Sequence, residues 1–307
     1  MSSSPRFSPY GQMVLATVLF AFMGVCVKLA SAHFGTAAVV SMRGLVGAIM
    51  MALIAWHADT PLRTRVPMLH VKRGLAGVLA LSLWFYCIGH LPLATAVTLN
   101  YMSSVWMAVY LLIGQGLFGG QRVDRRLVMA IAIGFLGVGL VLHPTLSREQ
   151  LFAGVLGIGS GMLAAAAYVQ VTALGRAGEP EVRVVFYFSL MGTLLGALTW
   201  LIPGQDNHTA LAAIPWWAWT ALIGVGAFAT IAQLLMTRAY ARGRMLVNAS
   251  LQYLGIVHAS VLGMLIFGER LSWDGMLGMA LIVGAGIVST RLKSASGQAA
   301  RHEDSRQ

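Results

Sequence analysis

The stretch Thr98-Leu-Asn-Tyr-Met-Ser-Ser-Val105 is matched later in the chain by Ser250-Leu-Gln-Tyr-Leu-Gly-Ile-Val257. Each stretch opens an apolar run that ends at a Phe-Gly pair, Phe118-Gly119 in the first copy and Phe267-Gly268 in the second. The copies lie about half of the 307-residue chain apart. This spacing indicates an internal duplication, in which each half of the chain carries the same series of segments.

Apolar runs on either side of the two copies are long enough to cross a lipid bilayer. The chain is 58% hydrophobic and only 10% charged, a composition that soluble domains do not have. A helix needs about 20 apolar residues to span the hydrocarbon core. Runs of about this length predict ten spans, at residues 13–30, 37–56, 74–91, 96–118, 127–142, 152–174, 184–202, 216–236, 246–267 and 275–288. Each copy then holds five spans, and because five is odd the second copy must lie upside down relative to the first.

The predicted fold is an all-α integral membrane protein whose ten transmembrane helices form two inverted five-helix repeats around a central cavity. The repeats are residues 13–143 and 152–290, between a cytoplasmic N-terminal tail (1–12) and a basic cytoplasmic C-terminal tail (291–307). With both tails in the cytoplasm, the outer connections hold only Arg148 and Arg270 among the Arg and Lys residues of the loops. This distribution follows the positive-inside rule and supports an even number of spans.

Several short motifs, in this order and spacing, resemble the EamA type of the drug/metabolite transporter superfamily. They are Lys28 near the end of the first span, Arg43 early in the second, Leu91-Pro-Leu-Ala-Thr-Ala96 before the fourth and Gly268-Glu-Arg-Leu271 before the tenth. The resemblance covers roughly residues 13–292. It implies a basket of two inverted halves in the bacterial inner membrane that moves small metabolites such as amino acids. One departure is Gln121, which stands in the first copy where the second copy has Glu269.

The ionisable residues of the spans favour an anionic or zwitterionic solute. No acidic residue is predicted at mid-membrane depth, which argues against the exchange of a cationic drug for a proton. Arg43 lies about six residues into its span, roughly 9 Å deep at the helical rise, and an arginine can hold a carboxylate or phosphate with two hydrogen bonds. Lys28 lies near the outer end of its span, so its ammonium either lines the cavity or reaches the headgroups.

Amide, hydroxyl and aromatic side chains inside the spans complete the candidate substrate pathway. Each of these side chains has an alternative role in packing between helices. They are Trp84, Asn100, Tyr101, Ser104, Trp106, Tyr168, Gln170, Gln233, Gln252 and Tyr253. His258, inside the ninth predicted span, is a candidate proton relay because its ordinary pKa is near 6.5. A hydrogen-bonded packing role is the simpler interpretation of His258.

The predicted function is secondary transport, as an exporter or permease, of small polar metabolites by alternating access. The predicted partners are a small-molecule substrate and the lipid bilayer, without nucleic acid, because the basic residues lie between apolar runs and not on a polar domain. Cys26 and Cys87 have no metal-ligand spacing, and we predict neither a metal nor a cofactor. A non-transporting membrane sensor or assembly protein and a membrane-embedded transferase are the alternatives. The solute, the direction of transport, the coupling ion and the oligomeric state, with a homodimer as one option, stay open.

Overall fold

The computed structural model describes residues 8–103, 105–107, 109–110, 113, 125–142, 148–200, 214–242, 251–285 and 287–288. Within these ranges the regular secondary structure is helical. The principal helices are α1 (Pro9–Ser31), α2 (Thr36–His57), α3 (Pro67–His90), α4 (Leu93–Tyr101), α5 (Arg125–Leu142), α6 (Arg148–Arg176), α7 (Glu181–Trp200), α8 (Trp216–Arg242), α9 (Leu254–Phe267) and α10 (Trp273–Ala285).

The helices begin and end at residues whose chemistry favours a boundary. The Ser8 side chain caps α1 by accepting a hydrogen bond from the Gly11 N–H at 3.1 Å, which satisfies one of the free N–H groups of the first turn. Helix α3 begins at Pro67, where the missing proline N–H costs nothing. Pro92 separates α3 from α4 because proline cannot continue a helix. Gly268, with φ of 62°, ends α9 in the left-handed conformation.

Six of the described helices are long and apolar enough to cross a membrane by length and composition, namely α1, α2, α3, α6, α7 and α8. Helices α9 and α10 are apolar and shorter. The predicted fourth span, residues 96–118, lies partly outside the described residues. The helices therefore agree with a multi-pass membrane protein, and the count of ten spans stays a prediction.

Large apolar side chains on the outside of the bundle indicate that lipid is the solvent. Leu53 is 56% exposed, Leu79 52%, Leu198 61% and Leu265 77%. A surface with this many exposed apolar side chains would associate or aggregate in water. In a bilayer the same side chains face hydrocarbon, while the helices satisfy their own backbone hydrogen bonds.

Small residues bring α2 and α7 into close contact. A Cβ atom added at Gly44 would lie 2.5 Å from the Ser189 carbonyl oxygen, and one added at Gly196 would lie 2.6 Å from the Ser41 amide nitrogen. The Ser41 hydroxyl donates a hydrogen bond to the Thr193 carbonyl at 3.1 Å. Glycine at these positions therefore allows the two backbones to approach, as is common between membrane helices.

The other helices pack around this pair and enclose a central space. Helix α1 packs against α8 and α9, and α6 packs against α3 and α4. Helix α2 also contacts α8, α7 also contacts α3, and α4 contacts α9. The main hydrophobic cluster includes the buried Met23, Phe85, Leu93, Leu99 and Ile256. Residues of α1, α2, α3, α4, α6, α7 and α8 line the cavity that this packing encloses.

Candidate substrate-binding cavity

A cavity lies at the centre of the bundle, where helices from both halves of the chain meet. Its lining consists of Phe20, Met23, Arg43, Arg73, Gly77, Ala80, Leu81, Trp84, Asn100, Tyr101, Ala164, Ala167, Tyr168, Phe188, Gln233, Met236 and Gln252. Among these described residues none is acidic. The volume of the cavity is about 70 Å³. It therefore suits a small solute.

Arg43 reaches this cavity from α2. Its side chain is only 3% exposed, and its guanidinium carbon lies 4.5 Å from the centre of the Phe188 ring. In the described part of the chain, its Nε and Nη1 atoms are buried without a hydrogen-bond partner. A buried cation with unused donors is costly. An anion in the cavity could accept hydrogen bonds from these donors and compensate the charge of Arg43.

Arg73 is a second cavity arginine, which the sequence analysis did not place there. The hydropathy pattern predicts a third span that begins at residue 74, with Arg73 in the preceding connection. Helix α3 in fact begins at Pro67, so Arg73 lies inside the helix and is only 5% exposed. Its guanidinium carbon lies 4.2 Å from the centre of the Phe188 ring. The signal that could have located it is Pro67, since proline is favoured at the first position of a helix.

The amide and hydroxyl groups of the lining are held by hydrogen bonds between helices. The Asn100 Nδ2 group of α4 donates to the Ser160 hydroxyl of α6 at 2.8 Å. That hydroxyl in turn donates to the Ala80 carbonyl of α3, also at 2.8 Å. The side chains of Tyr168 and Gln252 are hydrogen-bonded to each other. These contacts fix a polar wall on the side of the cavity that faces α6.

Aromatic side chains form a further part of the wall. The Trp84 indole N–H donates to the Ala96 carbonyl at 3.2 Å, so its polar atom is satisfied while the ring lines the cavity. Tyr101 also lines the cavity, and the buried Tyr253 packs edge-on against it with ring centres 6.4 Å apart. Tyr253 therefore supports a lining residue from behind.

Lys28 lies away from the cavity lining, near the end of α1, and forms an ion pair. Its ammonium forms an ion pair with Glu269 and donates a hydrogen bond to the Leu91 carbonyl at 3.0 Å. The second Glu269 oxygen accepts a hydrogen bond from the Leu93 N–H at 2.8 Å. This group joins the end of α1, the α3–α4 junction and the α9–α10 connection, and it does not contribute to the lining of the cavity.

The remaining candidates also lie away from the cavity or outside the described residues. Trp106 packs edge-on against Phe135 at 5.3 Å, and its buried indole N–H has no partner among the described residues. Gln170 is half-buried on α6 and is not part of the lining. His258 Nδ1 lies 3.3 Å from the Thr17 hydroxyl, a contact that suits a packing role. Ser104 lies outside the described residues.

A separate polar cluster surrounds Glu179 at the other end of the bundle from Lys28. Its carboxylate accepts hydrogen bonds from the Thr64 hydroxyl at 2.9 Å and from Arg183 Nη1 at 3.1 Å, and it lies 3.1 Å from His70 Nε2. Burial raises the pKa of Glu179, but the hydrogen bonds from Thr64, His70 and Arg183 and the charge of Arg183 lower it further, so the net pKa lies below the ordinary value. Across the described ranges, no group of three or more His, Cys, Asp or Glu side chains is arranged to hold a metal ion.

Comparisons with known proteins relate the whole chain to transporters. The model of the EamA-like transporter family matches residues 8–143 and 151–291. The pseudopaline exporter CntI of Pseudomonas aeruginosa is 32% identical over 281 residues, which are 91% of this chain and 95% of that protein. A riboflavin transporter of Brucella anthropi is 25% identical over 94% of this chain and 100% of its own length. A solved crystal structure, 18% identical, matches with a TM-score of 0.62 over 92% of this chain and 96% of its own, which shows a shared fold.

Proposed function

The chain belongs to the EamA-like transporter family, and from this premise we propose that it is a secondary transporter of small, amino-acid-like solutes that are anionic or zwitterionic. The observation that carries the proposal is Arg43, a desolvated cation with unused donors on a cavity whose described lining holds no acidic residue. Arginine inside a membrane bundle is rare and marks a solute pathway in many transporters. Its planar guanidinium matches the two oxygens of a carboxylate.

Two inverted five-helix repeats, residues 13–143 and 152–290, are part of the proposal. The packing of the described helices supports them, because pairs of helices recur when five is added to or subtracted from each number. The contact of α1 with α8 corresponds to that of α6 with α3, and the contact of α1 with α9 corresponds to that of α6 with α4. The pairs α2 with α7 and α4 with α9 correspond to themselves. Inverted repeats around a central site are the usual basis of alternating access.

The proposed setting is the inner membrane of a bacterium, with both chain ends in the cytoplasm. The concentration of Arg and Lys in alternate connections supports this orientation. The names of two relatives, a pseudopaline exporter and a riboflavin transporter, support an organic solute of small size. Export and uptake are both compatible with the proposal, and so is a homodimer.

Counterflow into proteoliposomes tests the function directly. The purified full-length chain would be assayed with a panel of amino acids, their derivatives, riboflavin and nucleosides, with and without a pH gradient. We expect flux of at least one anionic or zwitterionic member. Arg43→Gln should lower that flux at least about tenfold, because a charge-assisted hydrogen bond contributes about 1.5 to 3 kcal/mol. Arg270→Gln, which removes an exposed charge, is the matched control.

The same assay separates the alternatives. Binding of a solute in detergent without any flux would indicate a sensor, and conversion of the solute would indicate a transferase. An Arg43→Gln protein that folds normally and transports the solute at the original rate would contradict the proposed role of Arg43.

A further inference from the structure

Phe188, near the middle of α7, has two arginine guanidiniums over its ring. The guanidinium carbon of Arg43 lies 4.5 Å from the ring centre and that of Arg73 lies 4.2 Å from it. A guanidinium over an aromatic face is attracted by the quadrupole of the ring, whose face is partially negative, most of all where water is excluded. The ring therefore contacts both cations, and both arginines line the same cavity.

The two arginines approach this ring from opposite ends of the bundle. Arg43 lies in the second turn of α2, which begins next to the end that carries Lys28. Arg73 lies in the second turn of α3, which begins at the opposite end, next to the Glu179 cluster. Their side chains meet near the centre because both helices run past Phe188.

Two donor atoms of each guanidinium have no hydrogen-bond partner in the described part of the chain. The Nε and Nη1 atoms of Arg73, like those of Arg43, are buried without hydrogen-bond partners. Two neighbouring buried cations repel each other, and this repulsion is strong where the dielectric constant is low. A solute with one negative charge compensates only one of them. A solute with two negative groups compensates both and can use the paired N–H donors of each arginine.

We propose that Arg43 and Arg73 form one binding site for a solute that carries two carboxylate groups. This inference rests on the proposed transport function and specifies the solute class of the same cavity. The carbon skeleton between the carboxylates lies against Met23, Leu81 and Trp84, which are apolar lining residues. The amides of Asn100 and Gln233, also in the lining, face the remaining polar groups of the solute.

Binding of matched pairs of solutes to the purified full-length protein tests the proposal. The pairs differ only in the replacement of one carboxylate by an amide: L-aspartate and L-asparagine, L-glutamate and L-glutamine, and the dicarboxylates from succinate to suberate with their half-amides. For the best-fitting skeleton we expect the diacid to bind at least about tenfold more tightly than its half-amide, the equivalent of one charge-assisted interaction.

Substitution of Arg73 identifies the source of this preference. In Arg73→Gln the ratio of the two affinities should fall to about one, while the half-amide binds within about twofold of its original affinity, since Arg43 still holds one carboxylate. Arg73→Lys should give an intermediate ratio, because lysine keeps the charge and loses the planar fork. Lys72→Gln removes one charge from the adjacent, exposed position of the same helix and should leave the ratio unchanged.

Phe188→Leu is a second variant, for use if Arg73→Gln does not fold. It should lower the ratio of diacid to half-amide affinity because it removes the ring that contacts both arginines. Equal affinity of the wild-type protein for diacid and half-amide would overturn the pairing of the arginines and leave the proposed transport function in place. Tighter binding of O-phospho-L-serine than of every diacid would overturn the dicarboxylate class. The absence of binding and flux for all solutes of both panels would overturn the inference and the proposed function together.

Discussion

Lys28 and Glu269 form an ion pair between residues that are 241 positions apart in the sequence. The pair joins the last turns of α1 to the connection between α9 and α10. Glu269 also accepts the Leu93 N–H at 2.8 Å, and Lys28 also donates to the Leu91 carbonyl at 3.0 Å. One carboxylate and one ammonium therefore hold together three parts of the bundle at the same end.

We expect that removal of either charge lowers the stability of the protein. Lys28 is 21% and Glu269 12% exposed, so Lys28→Ala leaves a mostly buried carboxylate without its cation. The loss in the free energy of unfolding should be about 1 to 3 kcal/mol, below the 3 to 5 kcal/mol known for fully buried pairs. Glu269→Ala should cost more than Lys28→Ala because the Leu93 N–H also loses its acceptor. The midpoint of thermal unfolding in detergent measures both effects.

The double variant Lys28→Met with Glu269→Gln provides the internal check. Without either charge, the penalty of an unpaired buried ion disappears, so the double variant should be more stable than Lys28→Ala alone. Arg270→Gln, at an exposed position next to Glu269, should leave the midpoint unchanged. If Lys28→Ala behaved like Arg270→Gln, the ion pair would have no structural role.

The Glu179 cluster predicts a loss of stability in acid. The pKa of Glu179 in the folded protein lies below its ordinary value, which is about 4.3 in an unfolded chain. Its contribution to stability is therefore fully present above pH of about 4.3, and it is lost as the pH falls through the lower folded pKa. His70 and Arg183 face this carboxylate. Thermal unfolding measured across this pH range should show a steeper decline for the wild-type protein than for Glu179→Gln.

Asp59→Asn is the matched control for this experiment. Asp59 is an exposed carboxylate at the same end of the bundle, and its positive φ of 47° is tolerated by asparagine. The loss of thermal stability of Asp59→Asn at low pH should match that of the wild-type protein. Identical pH profiles for Glu179→Gln and the wild-type protein would show that Glu179 does not stabilise the fold through its charge.

The sequence was sufficient to locate the helices that face lipid on one side. The predicted first span, residues 13–30, corresponds to Pro9–Ser31, and the predicted eighth span, residues 216–236, corresponds to Trp216–Arg242. The family resemblance, drawn from Lys28, Arg43 and two short motifs, is confirmed by the family match. Apolar runs carry this information because hydrocarbon must be matched along the whole length of a span.

The cavity was harder to predict because hydropathy does not distinguish a charge that faces water from one that faces the interior. Lys72 and Arg73 are adjacent and both basic, yet Lys72 is exposed and Arg73 is buried in the cavity. Arg43, Asn100 and Gln233 could be predicted from the sequence because they interrupt apolar runs, and the structure brings them into one lining. The partner of Lys28 lies in a distant connection, so spacing along the chain could not identify it.

Gly77 determines whether Arg73 can occupy its place in the cavity. A Cβ atom added at Gly77 would lie 2.9 Å from Cε2 of Phe188 and would overlap the Arg73 guanidinium. Gly77→Ala should therefore displace Arg73 and weaken binding of the preferred diacid by about fivefold, the equivalent of about 1 kcal/mol. Isothermal titration with the wild-type protein and the variant measures the change.

Gly159→Ala is the control for the added methyl group. Among the described residues, its Cβ atom would meet only Leu83 Cδ1, at 3.7 Å. The variant should therefore leave the affinity unchanged and slightly stabilise α6, because alanine favours a helix more than glycine does. Equal affinities of Gly77→Ala and Gly159→Ala for the diacid would contradict the dependence on the position of Arg73.

Two consecutive hydrogen bonds, from Asn100 to Ser160 and from Ser160 to the Ala80 carbonyl, join three helices at the cavity. Ser160 is fully buried, accepts from Asn100 Nδ2 and donates to the Ala80 carbonyl, both at 2.8 Å. Ser160→Ala should lower the free energy of unfolding by about 1 to 2 kcal/mol, because it leaves a buried amide N–H and a buried carbonyl with one partner fewer. Ser82→Ala removes a half-buried hydroxyl that donates to the Val78 carbonyl of its own helix, and it should lower the free energy of unfolding by less.

A double-mutant cycle with Ser160→Ala and Asn100→Leu distinguishes the contribution of their hydrogen bond to stability from that of packing. If the two side chains stabilise the fold through their hydrogen bond, the double variant loses that bond once, so its destabilisation is smaller than the sum of the single effects. Thermal unfolding in detergent of the four proteins completes the cycle. Strict additivity would mean that Asn100 and Ser160 act independently. The orientation of Asn100 toward the cavity would then depend on the packing of α4 against α6 and not on the Ser160 hydroxyl.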